Sequence, residues 1–280
     1  MPELKVFNTL LGKDIPSGYP NNIFGAQLSG KTLLSLQYGI QYAKRTKGNV
    51  LFLDVDGGME MFCKEWLPVL FQEIDYKCDV FIEPAWNVRY EAPNQKYVHF
   101  EIKALQLFGV NGRAEISENG KTEFVPKGVL PNEVQQYIEK KNVKVVVIDS
   151  FSQIFKDAFV SQQSFGARAR AEDQLFTLIK NISISHGDVL FFCNHHHSVN
   201  PIYHSIAMAG GSAVLMNSKI ALYLQKMNGK FVKNYGQLHV FRYPNIPEWG
   251  KVEYLQYTDK GIVDSDKKTV EDLVAAGKSK

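Results

Sequence analysis

The chain has 280 residues, of which 45% are hydrophobic, and this is enough for one large domain or two small ones. Its formal net charge of +3 and its pI of about 8.5 permit a nucleic-acid partner without requiring one. No apolar run approaches the ~20 residues of a membrane span, and the N-terminus lacks an apolar signal core. Because the three cysteines are sparse and lack metal-ligand spacing, we expect a soluble, cytoplasmic protein with reduced thiols and no membrane partner.

Strand-like and helix-like segments alternate along most of the chain, which favours an α/β fold with a largely parallel sheet. Continuous apolar runs predict buried strands over residues 22–24, 50–54, 80–82, 143–149 and 189–193. Apolar residues at helical spacing predict helices over residues 33–43, 59–71, 131–141 and 169–186. Asn132 is the expected N-cap of the third helix.

Residues 84–128 interrupt this alternation and are rich in Tyr, Phe, Asn and charged residues. Strand-like segments at 114–116 and 122–125 flank the turn signal Asn119-Gly120, which predicts a hairpin. We therefore interpret residues 84–128 as a β-rich insertion within a single domain that spans residues 1–280. A plain long loop is the alternative, although such loops are uncommon in compact domains.

The C-terminal third changes character, with strand-like segments at 220–225, 236–243 and 252–257. The pair Asn228-Gly229 between the first two is a hairpin turn signal. This pattern predicts antiparallel strands added to one edge of the parallel sheet. The last segment, residues 267–280, ends in Gly-Lys-Ser-Lys, and we expect it to be frayed.

A phosphate-binding pattern, G-x-x-x-x-G-K-[ST], is formed by Gly25, Ala26, Gln27, Leu28, Ser29, Gly30, Lys31 and Thr32. In such a loop the backbone N–H groups point at the phosphates of ATP, the lysine adds positive charge, and the threonine hydroxyl holds Mg²⁺. We expect Lys31 to be exposed at the loop tip. A strand-like run precedes the pattern and a helix follows it, which favours the nucleotide interpretation over a chance glycine-rich turn.

Two carboxylates are candidates for the rest of this site. Asp149 ends the apolar strand 143–149, where a carboxylate can hold Mg²⁺ beside the loop. The alternative is that Asp149 only caps the following helix. Asp56 follows the strand 50–54 and is the candidate for polarising the attacking water. Asp54 and Glu60 remain open as alternatives, and so does a glycine-rich turn without catalytic function.

Asn194, His195, His196 and His197 follow the strand 189–193. Consecutive strand residues point to opposite faces, so three adjacent histidines cannot converge on one metal ion from a single strand. A polar side chain at this strand end, either Asn194 or His195, would instead sense the γ-phosphate of a nucleotide.

Several further segments occur in an order found in one family of ATPases. Residues 10–18 precede the phosphate-binding pattern, and residues 53–57 (Leu-Asp-Val-Asp-Gly), 148–150 (Ile-Asp-Ser) and 193–195 (Cys-Asn-His) follow it. The set is completed by Gly210-Gly211 with residues 218–224, by 244–248 (Pro-Asn-Ile-Pro-Glu) and by 257–262 (Tyr-Thr-Asp-Lys-Gly-Ile). In this order they resemble the ATPase core of the RecA/RadA recombinases, over nearly the whole chain apart from the insertion.

The resemblance implies a RecA-like P-loop NTPase fold and a DNA-dependent ATPase that uses ATP and Mg²⁺. It also implies that Asp56 stands where the family has a water-activating Glu, and that His195 stands where it has a γ-phosphate-sensing Gln. Because the core begins almost at Met1, we expect the family's N-terminal helical domain and subunit-linking segment to be absent.

Asp in place of Glu at position 56, His in place of Gln at position 195 and the expected absence of the N-terminal domain are departures from the family pattern. They favour an accessory paralog that acts in recombination or repair rather than a full strand-exchange recombinase. It would resemble either an archaeal RadA-like accessory protein or a phage-encoded RecA-like ATPase associated with single-strand annealing. The expected partners are single-stranded DNA and either further copies of the chain or a recombinase. Two alternatives are a regulatory ATPase of the KaiC type, which works through protein contacts, and a ring helicase or its loader.

The resemblance suggests further basic and aromatic candidates. Related ATPases often supply a basic residue to the γ-phosphate of the neighbouring subunit, and Arg242 is the candidate here. Arg168 and Arg170 would neutralise DNA phosphates, and Tyr203 would stack on a base beside His204. The alternatives are an ordinary strand-edge arginine, a solvated helix start and a locally packed tyrosine.

Overall fold

The computed structural model describes residues 2–71, 78–91, 98–116, 121–156, 159, 165–199, 206–209, 214, 218–244 and 251–278. The strands are β1 (Pro20–Gly25), β2 (Asn49–Asp54), β3 (Val80–Pro84), β4 (Val88–Glu91), β5 (Val98–Glu101), β6 (Val110–Ile116), β7 (Thr122–Val129), β8 (Val143–Asp149), β9 (Leu190–Val199), β10 (Ile206–Met208), β11 (Ile220–Lys226), β12 (Tyr235–Arg242), β13 (Val252–Thr258) and β14 (Gly261–Ser265). The helices are α1 (Val6–Leu11), α2 (Lys31–Thr46), α3 (Met59–Phe71), α4 (Lys103–Leu107), α5 (Glu133–Lys140), α6 (Phe165–Ser185) and α7 (Lys267–Lys278). Within these ranges no helix combines the length and apolar character needed to cross a membrane.

The larger sheet has the strand order β14-β13-β12-β11-β1-β9-β8-β2-β3, with β10 paired to β9 off this path. Neighbouring strands from β11 to β3 are parallel, whereas the pairs from β11 to β14 are antiparallel. This confirms the predicted α/β arrangement, in which a largely parallel sheet is extended at one edge by antiparallel C-terminal strands. The order places β1 inside the sheet, so that the predicted phosphate loop follows a strand with a neighbour on each side.

Helices cover both faces of the parallel strands. On β8, Val145 and Val147 lie in the core that α1 and α2 share, while Val146 and Ile148 lie in the core that α5 and α6 share. Because strand side chains alternate between the two faces, a strand that is buried on both faces must be apolar throughout. The continuous apolar run of residues 143–149 is therefore an accurate sequence signal, and the strand has the predicted bounds.

Strands β4 to β7 form a second, four-stranded antiparallel sheet, and they come from the region interpreted as a β-rich insertion. In the predicted hairpin, Ile116 of β6 pairs with Thr122 of β7, and the turn residues 117–120 lie outside the described residues. The helix α4, which lies between β5 and β6, contributes Ala104 and Leu105 to the core that α5 and α6 share. The insertion is thus packed against the main sheet through its own apolar residues.

The helix α7 corrects the expectation that residues 267–280 are frayed. The carboxylate of Asp266 accepts a hydrogen bond of 2.8 Å from the backbone N–H of Thr269, which satisfies a donor in the first turn. Val270 is buried in a small cluster with Tyr254 of β13. The polar ending of the sequence therefore gives less information than the N-cap and the apolar face that precede it.

The packing of α7 can be tested with Val270, which is only 1% exposed. We expect Val270→Ala to lower the free energy of unfolding by about 1–3 kcal/mol, because it removes buried methyl groups and leaves a cavity. Lys268→Ala, two residues away on the exposed side, should change it by less than ~0.5 kcal/mol. Urea unfolding curves of the two variants measure this difference, and equal curves would mean that α7 does not contribute to the cooperative core.

Candidate functional site

The carboxyl ends of four parallel strands meet at one edge of the sheet. Asp54 at the end of β2 lies opposite Asp149 at the end of β8, and Asp149 lies opposite Asn194 of β9. On the other side of β9, His196 lies opposite Gly25, the last residue of β1. The strand register therefore gathers polar residues that are distant in sequence, at the edge where α/β sheets usually bind ligands.

The segment that matches the phosphate-binding pattern is a tight loop between β1 and α2. Its backbone takes positive φ angles at Leu28 (61°) and Gly30 (93°), and α2 begins at the next residue. A Cβ atom at Gly25 would lie 2.1 Å from the carbonyl oxygen of Leu224, which only glycine avoids. Strand, loop and helix follow one another as the sequence predicts, and the N-terminus of α2 faces the loop.

Tyr257 of β13 braces this loop from the antiparallel part of the sheet. Its hydroxyl donates a hydrogen bond of 2.6 Å to the carbonyl oxygen of Ser29. Its ring lies so close to Gly30 that a Cβ atom there would be 2.6 Å from a ring carbon. Sequence reasoning missed this contact because the two residues are more than two hundred positions apart and no local pattern joins them.

The structure corrects the expectation that Lys31 is exposed, since only 6% of its surface is accessible. Its side chain folds over the loop, and the ammonium donates hydrogen bonds to the carbonyl oxygens of Ala26 (2.7 Å) and Gly25 (3.2 Å). Burial lowers its pKa, while the nearby carboxylates of Asp149 and Asp56 raise it. The long side chain thus places its charge inside the site rather than at the loop tip.

Thr32, Asp149 and Asp56 line one cavity of about 190 Å³ beside the loop. The Thr32 hydroxyl donates a short hydrogen bond to a carboxylate oxygen of Asp149. Burial raises the pKa of Asp149 to about 6, and the negative charge of Asp56 acts in the same direction. Partial burial also raises the pKa of Asp56, although His196 and a hydrogen bond from Ser150 oppose this effect.

This arrangement fits a divalent cation held through oxygen ligands. Thr32 and Asp149 supply a hydroxyl and a carboxylate at one place, which are ligand types that Mg²⁺ prefers. Burial is the main cause of the raised pKa values of Asp149 and Asp56, so the two ionised carboxylates are disfavoured there although Lys31 lies nearby. In addition, Oδ1 of Asn194 is buried without a hydrogen-bond partner among the described residues. A cation with its bound waters would relieve both features.

The structure separates the three carboxylates that the sequence left open as water-activating candidates. Asp54 accepts hydrogen bonds of 3.0 Å from the backbone N–H groups of Gly57 and Met59, so it closes the turn after β2. Glu60 is exposed on α3 and pairs with Lys64 at 2.7 Å. Asp56 alone of the three carries its carboxylate to the cavity wall without a backbone hydrogen bond or an ion pair among the described residues.

The histidine that faces the site is His196 rather than His195, which corrects the expectation for position 195. His195 is fully buried on the other face of β9, where Nε2 contacts Oδ1 of Asn22 at 2.8 Å. Burial lowers the pKa of His195 to about 3, so its ring is neutral. His196 is half-buried and lies near Lys31 and Asp56, which both act on it electrostatically. Burial is the main cause of its lowered pKa.

The other described candidates, all arginines, do not line this cavity. Arg242 ends β12 opposite Ala221, near the start of β11, so it cannot reach the loop of its own chain. Arg168 forms an ion pair of 2.7 Å with Glu172, which is 2% exposed, and its contact with DNA phosphate stays a prediction. Arg170 is exposed beside the insertion strand β7. Tyr203 and His204 lie outside the described residues, as do Gly210 and Gly211.

Comparison with known proteins does not assign a family to the chain. No protein-family model matches it, and a search of curated proteins finds no match. The site is therefore characterised by its own geometry, in which a glycine-rich loop, a buried lysine and two adjacent carboxylates meet at the end of a parallel sheet.

The buried carboxylate of Asp149 should cost the protein stability when nucleotide and Mg²⁺ are absent. Its pKa is about 6 in the folded state and 3.8 as the ordinary value. The cost therefore appears as the pH rises from about 4 to 6 and stays constant above that range. At about 1.4 kcal/mol per tenfold change in protonation, it is at most about 3 kcal/mol. We expect Asp149→Asn to raise the free energy of unfolding at pH 8 and to leave it unchanged near pH 3.5.

Asp188→Asn is the matched control for this prediction. Asp188 pairs with Lys144, and the hydrogen bond from that ammonium lowers its pKa, which is the opposite direction. Removing its charge should slightly destabilise the protein above about pH 4. Urea unfolding at a series of pH values compares the two variants. A loss of stability at pH 8 in both would contradict the electrostatic account of Asp149.

Proposed function

We propose that the chain is an ATP-binding and ATP-hydrolysing protein with a RecA-like P-loop fold, which acts on single-stranded DNA in recombination or repair. An accessory paralog of the RecA/RadA recombinases is the proposed type. The observation that carries the nucleotide part is the meeting of Lys31, Thr32, Asp149 and Asp56 beside the loop. The DNA part rests on the resemblance of the ordered sequence segments and on the exposed Arg170.

Each residue has a proposed task toward Mg·ATP. Lys31 would exchange its hydrogen bonds to the carbonyl oxygens of Gly25 and Ala26 for contacts to the β- and γ-phosphates. Thr32 and Asp149 would hold Mg²⁺, which neutralises phosphate charge when it is bound. The exchange is favourable because a phosphate oxygen carries more negative charge than a backbone carbonyl oxygen does.

Asp56 would orient and polarise the attacking water, and His196, which lies near Lys31 and Asp56, would contact the γ-phosphate. The raised pKa of Asp56 makes its carboxylate a better proton acceptor than an ordinary aspartate. His196 lies close enough to Asp56 for the two charges to interact, so a change at one residue would alter the protonation of the other. Because Asp is one methylene shorter than Glu, we expect slow hydrolysis even in the unmodified protein.

A regulatory ATPase of the KaiC type, which acts through protein contacts, is the second candidate function. One observation favours it: the guanidinium of Arg168 is paired with the buried carboxylate of Glu172, which neutralises charge that DNA would otherwise attract. In addition, a net charge of +3 is small for a protein that binds nucleic acid through its overall positive charge. A dependence of the ATPase rate on single-stranded DNA separates the two functions. Strand-displacement activity would instead point to a ring helicase.

ATP hydrolysis with and without single-stranded DNA tests the proposal. We expect Lys31→Ala to abolish hydrolysis while the protein still folds, because the hydrogen bonds of its ammonium stay within its own loop. The loss of its charge beside Asp149 and Asp56 should shift the thermal unfolding transition without removing it. We expect Asp56→Asn to lose at least ~10²-fold in kcat while it still binds nucleotide, because the amide keeps the shape and loses the charge. Hydrolysis rates at saturating ATP and fluorescent-nucleotide titrations measure the two effects.

Glu60→Gln is the control, since Glu60 is exposed and paired with Lys64. It should hydrolyse ATP at the unmodified rate. Normal hydrolysis by Lys31→Ala would refute the nucleotide assignment. Normal hydrolysis by Asp56→Asn would transfer the water-polarising task to another group.

Arg168 and Arg170 provide a matched pair for the DNA part, because the same charge is removed at two neighbouring sites. Arg170→Gln should weaken single-stranded DNA binding and flatten its log–log salt slope by ~0.7, with little effect on stability. Arg168→Gln should instead lower the free energy of unfolding by roughly 3 kcal/mol, because it leaves Glu172 buried without its partner. Salt-dependent anisotropy and urea unfolding measure these effects. DNA binding unchanged in Arg170→Gln would favour the KaiC-type function.

A further inference from the structure

A second cavity, of about 520 Å³, lies at the opposite edge of the sheet from the phosphate loop. Its floor includes Ile220, which pairs with Asn21 near the start of β1, whereas the loop follows Gly25 at the end of β1. At ~3.3 Å per strand residue, the two sites are separated by about 13 Å along β1. The second cavity is therefore distinct from the candidate nucleotide site.

Three lysines from separate parts of the chain line this cavity. Lys13 follows α1, Lys219 precedes β11 and Lys251 precedes β13, and all three are exposed. None of their ammonium groups forms an ion pair with another described residue, although Glu253 acts on Lys251 electrostatically. The described lining of the cavity contains no carboxylate. Three positive charges thus face one space without direct neutralisation from the described residues.

Two tyrosine rings form part of the cavity wall and hold two of these lysines. The ammonium of Lys219 lies 4.1 Å from the ring centroid of Tyr19, and that of Lys13 lies 5.9 Å from the centroid of Tyr243. Such cation–π contacts attract an ammonium group to the ring face without neutralising its charge. The lysines are consequently held at the wall with their charge still available to an anion.

We propose that this cavity binds the phosphate of a nucleotide unit, supplied either by a free nucleotide or by a nucleic-acid strand. Phosphate oxygens would neutralise the lysines, which otherwise repel one another across the cavity. The lysine above the Tyr243 ring lies farther away than the lysine above the Tyr19 ring does, so a base can stack against Tyr243. The volume lies within the ~300–1,000 Å³ range of small-ligand sites. Cations together with aromatic rings favour a nucleotide over an acidic peptide, which would use the charges alone.

The test is made in a Lys31→Ala background, so that the phosphate loop does not contribute to binding. One variant replaces Lys13, Lys219 and Lys251 by Gln, and the control variant replaces the exposed Lys44, Lys233 and Lys268 by Gln. The two variants have the same net charge. Binding of a 20-residue oligothymidylate and of thymidine 5′-monophosphate is measured by anisotropy and calorimetry at several salt concentrations.

We expect the cavity variant to bind the oligonucleotide at least ~10-fold more weakly than the control variant does. Its log–log salt slope should be flatter by up to ~2, because each phosphate neutralised on a single strand contributes ~0.7. Tyr243→Leu should weaken binding with little change in slope. Loss of oligonucleotide binding alone identifies a strand as the ligand, and loss of binding to both probes identifies the free nucleotide as a ligand too.

Equal affinities of the cavity and control variants for both probes would overturn the proposal. Equally efficient competition by oligoglutamate would also overturn it, because it would show a site selective for charge alone. The exposed lysines make misfolding of the triple variant improbable, and the single variant Lys219→Gln, compared with Lys233→Gln, repeats the test with a smaller change. Neither readout requires ATP hydrolysis, so the proposal is tested separately from the nucleotide part of the proposed function. The Arg170→Gln variant tests the DNA part at a different surface.

Discussion

The close approach of Asp149 and Asp56 beside Lys31 is the interaction on which the candidate site depends. Parallel pairing of β2 with β8 places Asp54 opposite Asp149, and the turn that Asp54 closes carries Asp56 to the same cavity. One buried lysine faces two carboxylates, and burial raises the pKa of both in spite of that lysine. Sheet register, rather than any single motif, creates the negative charge that a cation would balance.

The loop itself is held by the antiparallel strands at the other side of β1. Gly25 packs against the carbonyl of Leu224 in β11, and Tyr257 in β13 contacts both Ser29 and Gly30. These contacts fix the loop carbonyls that receive the Lys31 ammonium, so they also determine where that charge sits. The C-terminal third is therefore part of the site, although none of its described residues reaches the cavity that Asp56 and Asp149 line.

Sequence reasoning succeeded where one local pattern determines the structure. The apolar run of residues 143–149 could only be a strand buried on both faces, and the glycine-rich pattern required a tight loop before a helix. It failed at His195 because the resemblance placed the γ-phosphate contact there, and the alternation that had been applied to the three histidines was not used to choose between their faces. With β9 continuing to Val199, alternation places His196 on the face of Asn194 and sends His195 to the other.

The sequence predictions also differ from the structure at Lys31 and at Arg168, and the two differences have separate physical causes. The sequence pattern predicts that Lys31, at a loop tip, is exposed. It does not show that the aliphatic part of this side chain folds back over carbonyl groups. Arg168 and Glu172, by contrast, stand four positions apart on one helix face, and this spacing was a usable signal for their ion pair. Tyr257 carries no such signal, since only the assembled sheet brings β13 to the loop.

The same strands connect the glycine-rich loop to the lysine-lined cavity at the far edge. The separation of about 13 Å along β1 means that ligands bound at the two candidate sites would not touch each other. Strand β11 contacts Gly25 at one end and begins beside Lys219 at the other, while β13 carries Tyr257 and follows Lys251. Any coupling between the two edges would therefore pass mainly through movement of β11 and β13 against the loop.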